Sequence, residues 1–251
     1  MKTKFIVNPI AGRAKQRNIK KILDRYLDKN RFKFDIIYTK KHLHAKELAK
    51  QAVKEKYDLI ISVGGDGTLN QISSELIGTN VAIGVIPAGS GNGFGLHFGI
   101  KNNMIQAVKQ LNNSKIKKVD SATANGIPFV NVSGIGFDAH IAKLFSSLKK
   151  RGFINYLKLI IKEINYKSNI YNIEFEKEVR RLKAILISFA NASQYGNNFK
   201  ISPHSNIEDG LLDFVILKDI PKWKIPFILF KIAIGKANEC KYIEIIRTKK
   251  M

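Results

Sequence analysis

Directly behind the apolar run Leu59-Ile60-Ile61-Ser62-Val63 stands Gly64-Gly65-Asp66-Gly67-Thr68-Leu69-Asn70. The apolar run reads as a buried strand, and residues 69–76 carry a helical pattern. A strand that passes through glycines into a helix lets backbone N–H groups turn toward a ligand, because no Cβ blocks close approach. The helix N-terminus adds positive potential, so the loop suits a phosphate group. Asp66 narrows the chemistry. A carboxylate beside a phosphate is unfavourable unless it handles a metal ion or takes a proton. The same residues also fit an ordinary tight turn in which Asp66 and Thr68 cap the helix, and this loop alone does not separate the two readings.

A second glycine cluster separates them. Pro87-Ala88-Gly89-Ser90-Gly91-Asn92-Gly93-Phe94-Gly95 follows the apolar run 81–86, and Asn8-Pro9-Ile10-Ala11-Gly12 follows Phe5-Ile6-Val7. Apolar strands alternating with helical patterns (residues 13–27 and 45–53, with a further strand at 34–38) imply a parallel sheet with helices on its faces. In such a sheet the loops after different strands meet at the carboxyl edge. Three glycine-bearing loops are therefore expected in one crevice. Neither the G-x-G-x-x-G dinucleotide spacing nor a Walker A sequence is present.

The second half changes character. Residues 128–132, 170–175, 184–190 and 211–217 read as strands joined by turn clusters, which predicts an antiparallel β domain. Residues 141–167 are the exception, helical and strongly basic. The boundary is placed near Lys117-Lys118, giving an α/β domain over 1–118 and an antiparallel β domain over 119–251.

The charge needs a polyanion. Lys and Arg number 43 against 20 Asp and Glu, a net +23, in a chain of 251 residues that is 45% hydrophobic. Nucleic acid, anionic phospholipid and phosphorylated small molecules are the candidates, and a lysine-rich genomic bias would account for part of the excess. Cys240 is the lone cysteine, which excludes an internal disulfide and a cysteine-cluster zinc site and fits a reducing cytosol. The basic start is followed by too short an apolar run for a signal peptide, and the most apolar stretch, 225–234, is cut by Pro226 and Lys231. The basic, apolar-laced residues 143–162 fit either a helix lying on an anionic bilayer or one packed on the sheet with a solvated lysine face. Trp223, between Lys222 and Lys224, reads as a packed residue, with an interfacial anchor as the alternative. The five histidines show no metal-ligand spacing.

Taken in order, Asn8–Gly12, Gly64–Asn70 and Pro87–Gly95, followed by Gly134-Ile135-Gly136-Phe137-Asp138-Ala139 and Glu208-Asp209-Gly210-Leu211-Leu212-Asp213, the chain resembles the diacylglycerol kinase catalytic domain family, with its bacterial lipid, sphingosine and ceramide kinases. Gly-Gly-Asp-Gly-Thr alone is shared with NAD kinases and phosphofructokinases, but the ordered set is specific. The resemblance implies an ATP-binding α/β domain, an antiparallel β-sandwich domain and an active site in the cleft between them. It places Asn8, Thr39, Gly64, Gly65, Asp66, Gly67, Thr68, Leu69, Asn70, Gly89, Ser90 and Asn92 at the nucleotide, and Asp138 near the lipid head group. It assigns Asp209, with Asn206 and Leu211, to a Mg²⁺ ion. The implied reaction is phosphoryl transfer from ATP to a lipid hydroxyl.

Two departures stand out. Gly93 occupies a position where many bacterial members carry aspartate, and the late Asp-Gly-Glu motif that supplies a proton acceptor in those members is not found before Met251. Asp66 is then the expected proton acceptor. A nucleotide- or lipid-binding homologue with impaired turnover and an NAD kinase are the alternative readings. The expected partner is a lipid at an anionic membrane surface, met from the cytoplasm at the inner face, with no nucleic acid and with a homodimer as one form of assembly.

Overall fold

The computed structural model describes residues 1–12, 15–148, 152–175 and 178–250. Four strands, β1 (Lys2–Val7), β2 (Lys33–Tyr38), β3 (Leu59–Gly64) and β4 (Ala82–Pro87), form an all-parallel sheet in the order β2-β1-β3-β4. Alternate side chains leave it on opposite faces. Phe5, Val7, Ile61 and Val63 pack under α1 (Ile19–Tyr26) and α5 (Met104–Asn112). Ile6 and Ile60 pack under α2 (His44–Lys54) and α3 (Asp66–Leu76). Burial on both faces is why these strands read as continuous apolar runs. The register pairs Val7 with Tyr38 and Val63, and Gly64 with Pro87, so the strand ends stand level.

A short helix α4 (Gly93–His97) follows β4. After α5 come the hairpin β5 (Ala122–Ala124) and β6 (Ile127–Phe129), then β7 (Val132–Gly136). A five-stranded antiparallel sheet follows in the order β11-β10-β9-β7, made of β7, β9 (Glu178–Ala190), β10 (Leu212–Lys218) and β11 (Ile243–Thr248), with β8 (Asn169–Phe175) also paired to β9. Three helices accompany this sheet: α6 (Phe137–Ser146), α7 (Phe153–Lys162) and α8 (Ile225–Ala233). Ile228 and Ile232 of α8 pack on Leu186, Val215 and Leu217 of the sheet.

The structure changes several sequence expectations. The strand expected at 128–132 is broken at Val130 and Asn131, because Asn131 turns its side chain toward the glycine loops. The basic helix expected over 141–167 is two helices, with Lys149, Lys150 and Arg151 outside the described residues. The helix expected from Arg13, itself outside the described residues, begins as a 3₁₀ turn over Lys15–Asn18 and becomes α-helical at Ile19. A further helix, α8, occupies the apolar run at 225–234; Pro226 stands in its first turn, where a missing N–H is tolerated. Trp223 is exposed rather than packed. No described helix is long and apolar enough to cross a membrane.

Candidate active site

The level strand ends gather the glycine loops. Asn8 N donates to Val63 O (2.9 Å) and Ala88 N to Gly64 O (2.8 Å), so the first and third loops are each zipped to the second. The contact is backbone on backbone. A Cβ on Gly89 would stand 2.4 Å from Gly65 Cα, and one on Gly12, at φ +55°, 2.2 Å from Ala88 O. Only glycine lets these chains approach so closely. Asn8 Nδ2 donates to Thr68 Oγ1 (3.0 Å), tying the first loop to the first turn of α3.

Asp66 opens α3 and faces the third loop. Gly93 N and Phe94 N each donate to its carboxylate at 3.1 Å, and Asn131 Nδ2 reaches it at 3.4 Å. Burial raises its pKa above the ordinary carboxylate value, against the pull of the Phe94 and Gly93 amides. The second domain closes on the same loop. Asn197 Nδ2 donates to Ser90 O (2.7 Å) and Asn197 N to Gly91 O (3.1 Å).

These loops form one end of a cavity of about 920 Å³. Asn8, Gly12, Thr39, Gly65, Asp66, Gly67, Thr68, Gly89, Ser90 and Gly91 line this end, with Lys40 and Lys41 beside them. The other end is apolar, walled by Ile141 and Phe145 of α6, Ile160 of α7, Leu186 and Leu217 of the sheet, and Ile228 and Ile232 of α8. Part of the apolar surface of the basic helical stretch thus faces inward: Ile141 and Ile160 are buried, and Phe145 meets Tyr156 edge to face at 5.4 Å between ring centres, while Ile154 and Ile161 of α7 are exposed.

Asp138 also lines the cavity, one residue into α6. Its carboxylate accepts from Ser188 Oγ (3.0 Å), Tyr195 Oη (3.1 Å) and Ala139 N (2.7 Å). Ser188 Oγ and Tyr195 Oη are also hydrogen-bonded to each other. Burial pushes the Asp138 pKa up to about 6, although these three donors favour its charge. The Tyr156 phenol is pushed up to about 12 by burial and by the Asp138 charge. A half-buried carboxylate held by hydroxyls beside an apolar chamber can accept a hydrogen bond from a ligand hydroxyl.

The remaining residues anticipated from sequence lie elsewhere. Gly64 and Leu69 are buried outside the cavity, Leu69 beside Phe94, Val130 and Ala192 where the two halves meet. Asn70 Nδ2 reaches Pro128 O at 3.3 Å. Asn92, at φ +57°, does not line the cavity; its side chain accepts from Gly89 N (2.9 Å) and donates to Gly89 O (3.0 Å) and Asn102 Oδ1 (2.8 Å). Asn206, Asp209 and Leu211 form a turn ahead of β10 that does not line the cavity. There Asp209 Oδ1 accepts from Leu211 N (3.0 Å) and Asp120 Oδ2 from Gly210 N (2.7 Å). Asn131, Ser188, Tyr195 and Asn197 were not anticipated. Only Asn131 left a signal, as a polar residue inside an apolar run; the others are distant from every motif and reach the site by folding.

Residues 2–124 match the diacylglycerol kinase catalytic domain. Residues 131–251 match the YegS C-terminal NAD kinase beta sandwich-like domain. The chain belongs to the diacylglycerol kinase catalytic domain family. A diacylglycerol kinase of Bacillus subtilis is 27% identical over 232 residues, covering 86% of this chain and 74% of that protein. An uncharacterised Synechocystis protein, sll0036, is 29% identical over 229 residues, 84% of this chain, which spans about half of that relative's length (52%). A candidate diacylglycerol kinase from Bacillus anthracis superposes with a TM-score of 0.79 at 27% identity, over 98% of this chain and 82% of its own. Membership in this family agrees with the α/β and antiparallel β halves seen here, and the Bacillus subtilis relative and the Bacillus anthracis structure are named as kinases.

Proposed function

We propose that this chain transfers the γ-phosphoryl group of ATP to the hydroxyl of a diacylglycerol, a sphingoid base or a related lipid, at the cytoplasmic face of an anionic membrane. The observation that supports this most is the single cavity with glycine amides and lysines at one end, apolar side chains at the other, and the carboxylates of Asp66 and Asp138 on its wall. Phosphates suit the first end and acyl chains the second.

In this reading the glycine loops and α3 hold the nucleotide phosphates. Asp138, with Ser188 and Tyr195, orients the acceptor hydroxyl. The hydroxyl oxygen forms the new bond to the γ-phosphorus as the bond to the β-phosphate oxygen breaks, releasing ADP. The hydroxyl proton passes to a carboxylate, for which Asp66 is the assigned acceptor. Positioning and charge neutralisation carry most of such a reaction.

The turn at Asn206, Asp209 and Leu211 offers oxygen donors only, one carboxylate and backbone carbonyls, a set suited to Mg²⁺ with water completing the shell. An ion there would brace the turn that precedes β10. Mg²⁺ bound with the nucleotide would neutralise charge on its phosphate oxygens.

The test is label transfer from γ-labelled ATP into mixed micelles that each hold one lipid: diacylglycerol, sphingosine, ceramide or monoacylglycerol. A labelled lipid is expected, with the label lost when divalent cations are chelated. ATP binding without a labelled lipid would replace this reading with that of a binding homologue.

Asp138 makes a separate prediction. Its carboxyl is raised from 3.8 to about 6, so turnover should rise with pH through about 6 as the acceptor ionises. Stability should move the other way. The folded state holds this proton more tightly than the unfolded chain, so the raised pKa favours folding below pH 4 and disfavours it above pH 6. Asp138→Asn, which mimics the protonated form, should flatten the acid limb, lower turnover, and remove the fall in stability between pH 5 and pH 8 that the carboxyl causes. Urea midpoints at pH 5 and pH 8 check this; an unchanged acid limb in the variant would remove Asp138 from the reaction.

A further inference from the structure

Helix α8 is apolar on both sides, and only one side is covered. Its inner face is cavity wall, with Ile228 and Ile232 2% and 6% exposed. On the outer face Trp223, Phe227, Phe230 and Ile234 are 77%, 55%, 60% and 48% exposed. Phe227 and Phe230 stand on α8, Trp223 in the 3₁₀ turn Lys222–Lys224 that leads into it and Ile234 at its C-terminal end, and their spacings of four, three and four residues continue one side of the helix. A helix apolar all round is ordinarily buried on all sides. Four large side chains in water on a single stripe therefore indicate a surface that something else covers.

The rim identifies the chemistry of that cover. Between residues 218 and 241 there are six lysines and two carboxylates, Asp219 and Glu239. The lysines sit against the aromatic rings. Lys224 Nζ lies 4.8 Å from the Trp223 ring centre and 4.8 Å from that of Tyr242, and Lys231 Nζ lies 5.5 Å from the Phe227 ring centre. Aromatic side chains that enter an acyl boundary, ringed by cations at head-group level, are the physical requirements of an interfacial helix on anionic lipid. A repeat of the same face would instead bring lysines against lysines.

We infer that the Trp223–Phe227–Phe230–Ile234 face of α8 is the surface by which this protein docks on an anionic lipid bilayer. This extends the lipid-kinase reading by naming where the acceptor is met, and it stands on surface chemistry that the reaction does not use. Residues 143–162 turn Phe145, Tyr156 and Ile160 into the cavity and leave Ile154 and Ile161 exposed, an aliphatic pair without the aromatic rings of the α8 face. The helix that touches the bilayer is then the helix whose other side walls the acyl end of the cavity.

Trp223 is the only tryptophan in the chain, so its fluorescence reports the face directly. The full chain is titrated with phosphatidylglycerol-containing vesicles, with pure phosphatidylcholine vesicles and with vesicles carrying brominated acyl chains. A blue shift and bromine quenching are expected with anionic vesicles, weakening at high salt and on phosphatidylcholine alone. Phe227→Ser with Phe230→Ser should weaken partition roughly 100-fold, about tenfold per side chain, since neither residue holds the core together. Turnover of the double variant on a soluble short-chain diacylglycerol should match the parent. Absent vesicle binding, or binding that leaves Trp223 emission and quenching unchanged, would overturn the inference. So would Trp223 emission already blue-shifted in a lipid-free dimer and restored by the double variant, which would make a second copy the cover. Vesicle docking without phosphoryl transfer to any lipid would leave the docking face standing and fail the kinase reading alone.

Discussion

Replacing Asp66 by asparagine is expected to lower phosphoryl transfer by about a thousandfold or more while changing the melting temperature little. Two opposing effects make the stability change small. The carboxylate is partly desolvated, and its neutral isostere escapes that cost. Against this, Gly93 N and Phe94 N each need an acceptor, and the asparagine supplies only one oxygen where two now serve. One buried N–H then faces an NH₂ group, at a cost of about 1–3 kcal/mol. Asp66→Ala removes both acceptors and should loosen the third loop, weakening nucleotide binding as well as turnover. Single-turnover rates beside ATP affinity separate the two variants: Asp66→Asn should lose rate with affinity largely kept, Asp66→Ala should lose both. An Asp66→Asn protein with a tenth or more of the parental rate would exclude this carboxylate as proton acceptor or metal organiser.

The second large effect is steric. Gly89→Ala should destabilise the protein by about 3 kcal/mol or more and abolish measurable ATP binding. The added methyl would lie 2.4 Å from Gly65 Cα and 2.9 Å from Asn92 Oδ1. Neither neighbour gives way cheaply. Gly65 is backbone, and Asn92 is held by Gly89 N, Gly89 O and Asn102 Oδ1. The third loop must separate from the second, and the phosphate end of the cavity opens. Gly67→Ala is the control, because a Cβ there meets nothing within 4 Å. Its urea midpoint should stay within about 1 kcal/mol of the parent, since alanine favours the helix in which it stands. A Gly89→Ala chain that unfolds at the parental midpoint and binds ATP normally would show that the loops are not locked together as described.

Several features were legible from sequence because they are local. The parallel sheet showed itself as apolar runs of strand length, since strands covered on both faces have no polar alternation to disguise them. The phosphate end showed itself as glycines, since close backbone approach excludes every other residue. The ordered motifs carried the family. Even the error at residues 128–132 had a local cause: Asn131 breaks an apolar run because its side chain serves Asp66 rather than the sheet.

What the amino-acid order could not express is which apolar side chains cover one another. Phe145 looks identical, as a letter, to Phe227 and Phe230, yet the first lines a cavity and the other two stand in solvent. Trp223 was misplaced for the same reason. The polar cluster of Asp138, Ser188 and Tyr195 is likewise assembled across 57 residues by the first turn of α6, a strand and a loop, and of its members only Asp138 stands in a motif that announces it. The sequence by itself determined the strand–glycine–helix units and their chemistry, because hydrogen bonding and backbone sterics act over a few residues. Only the tertiary structure decided where the apolar chamber lies, which carboxylate faces it and which helix face is left bare, because burial is a property of distant segments packed together.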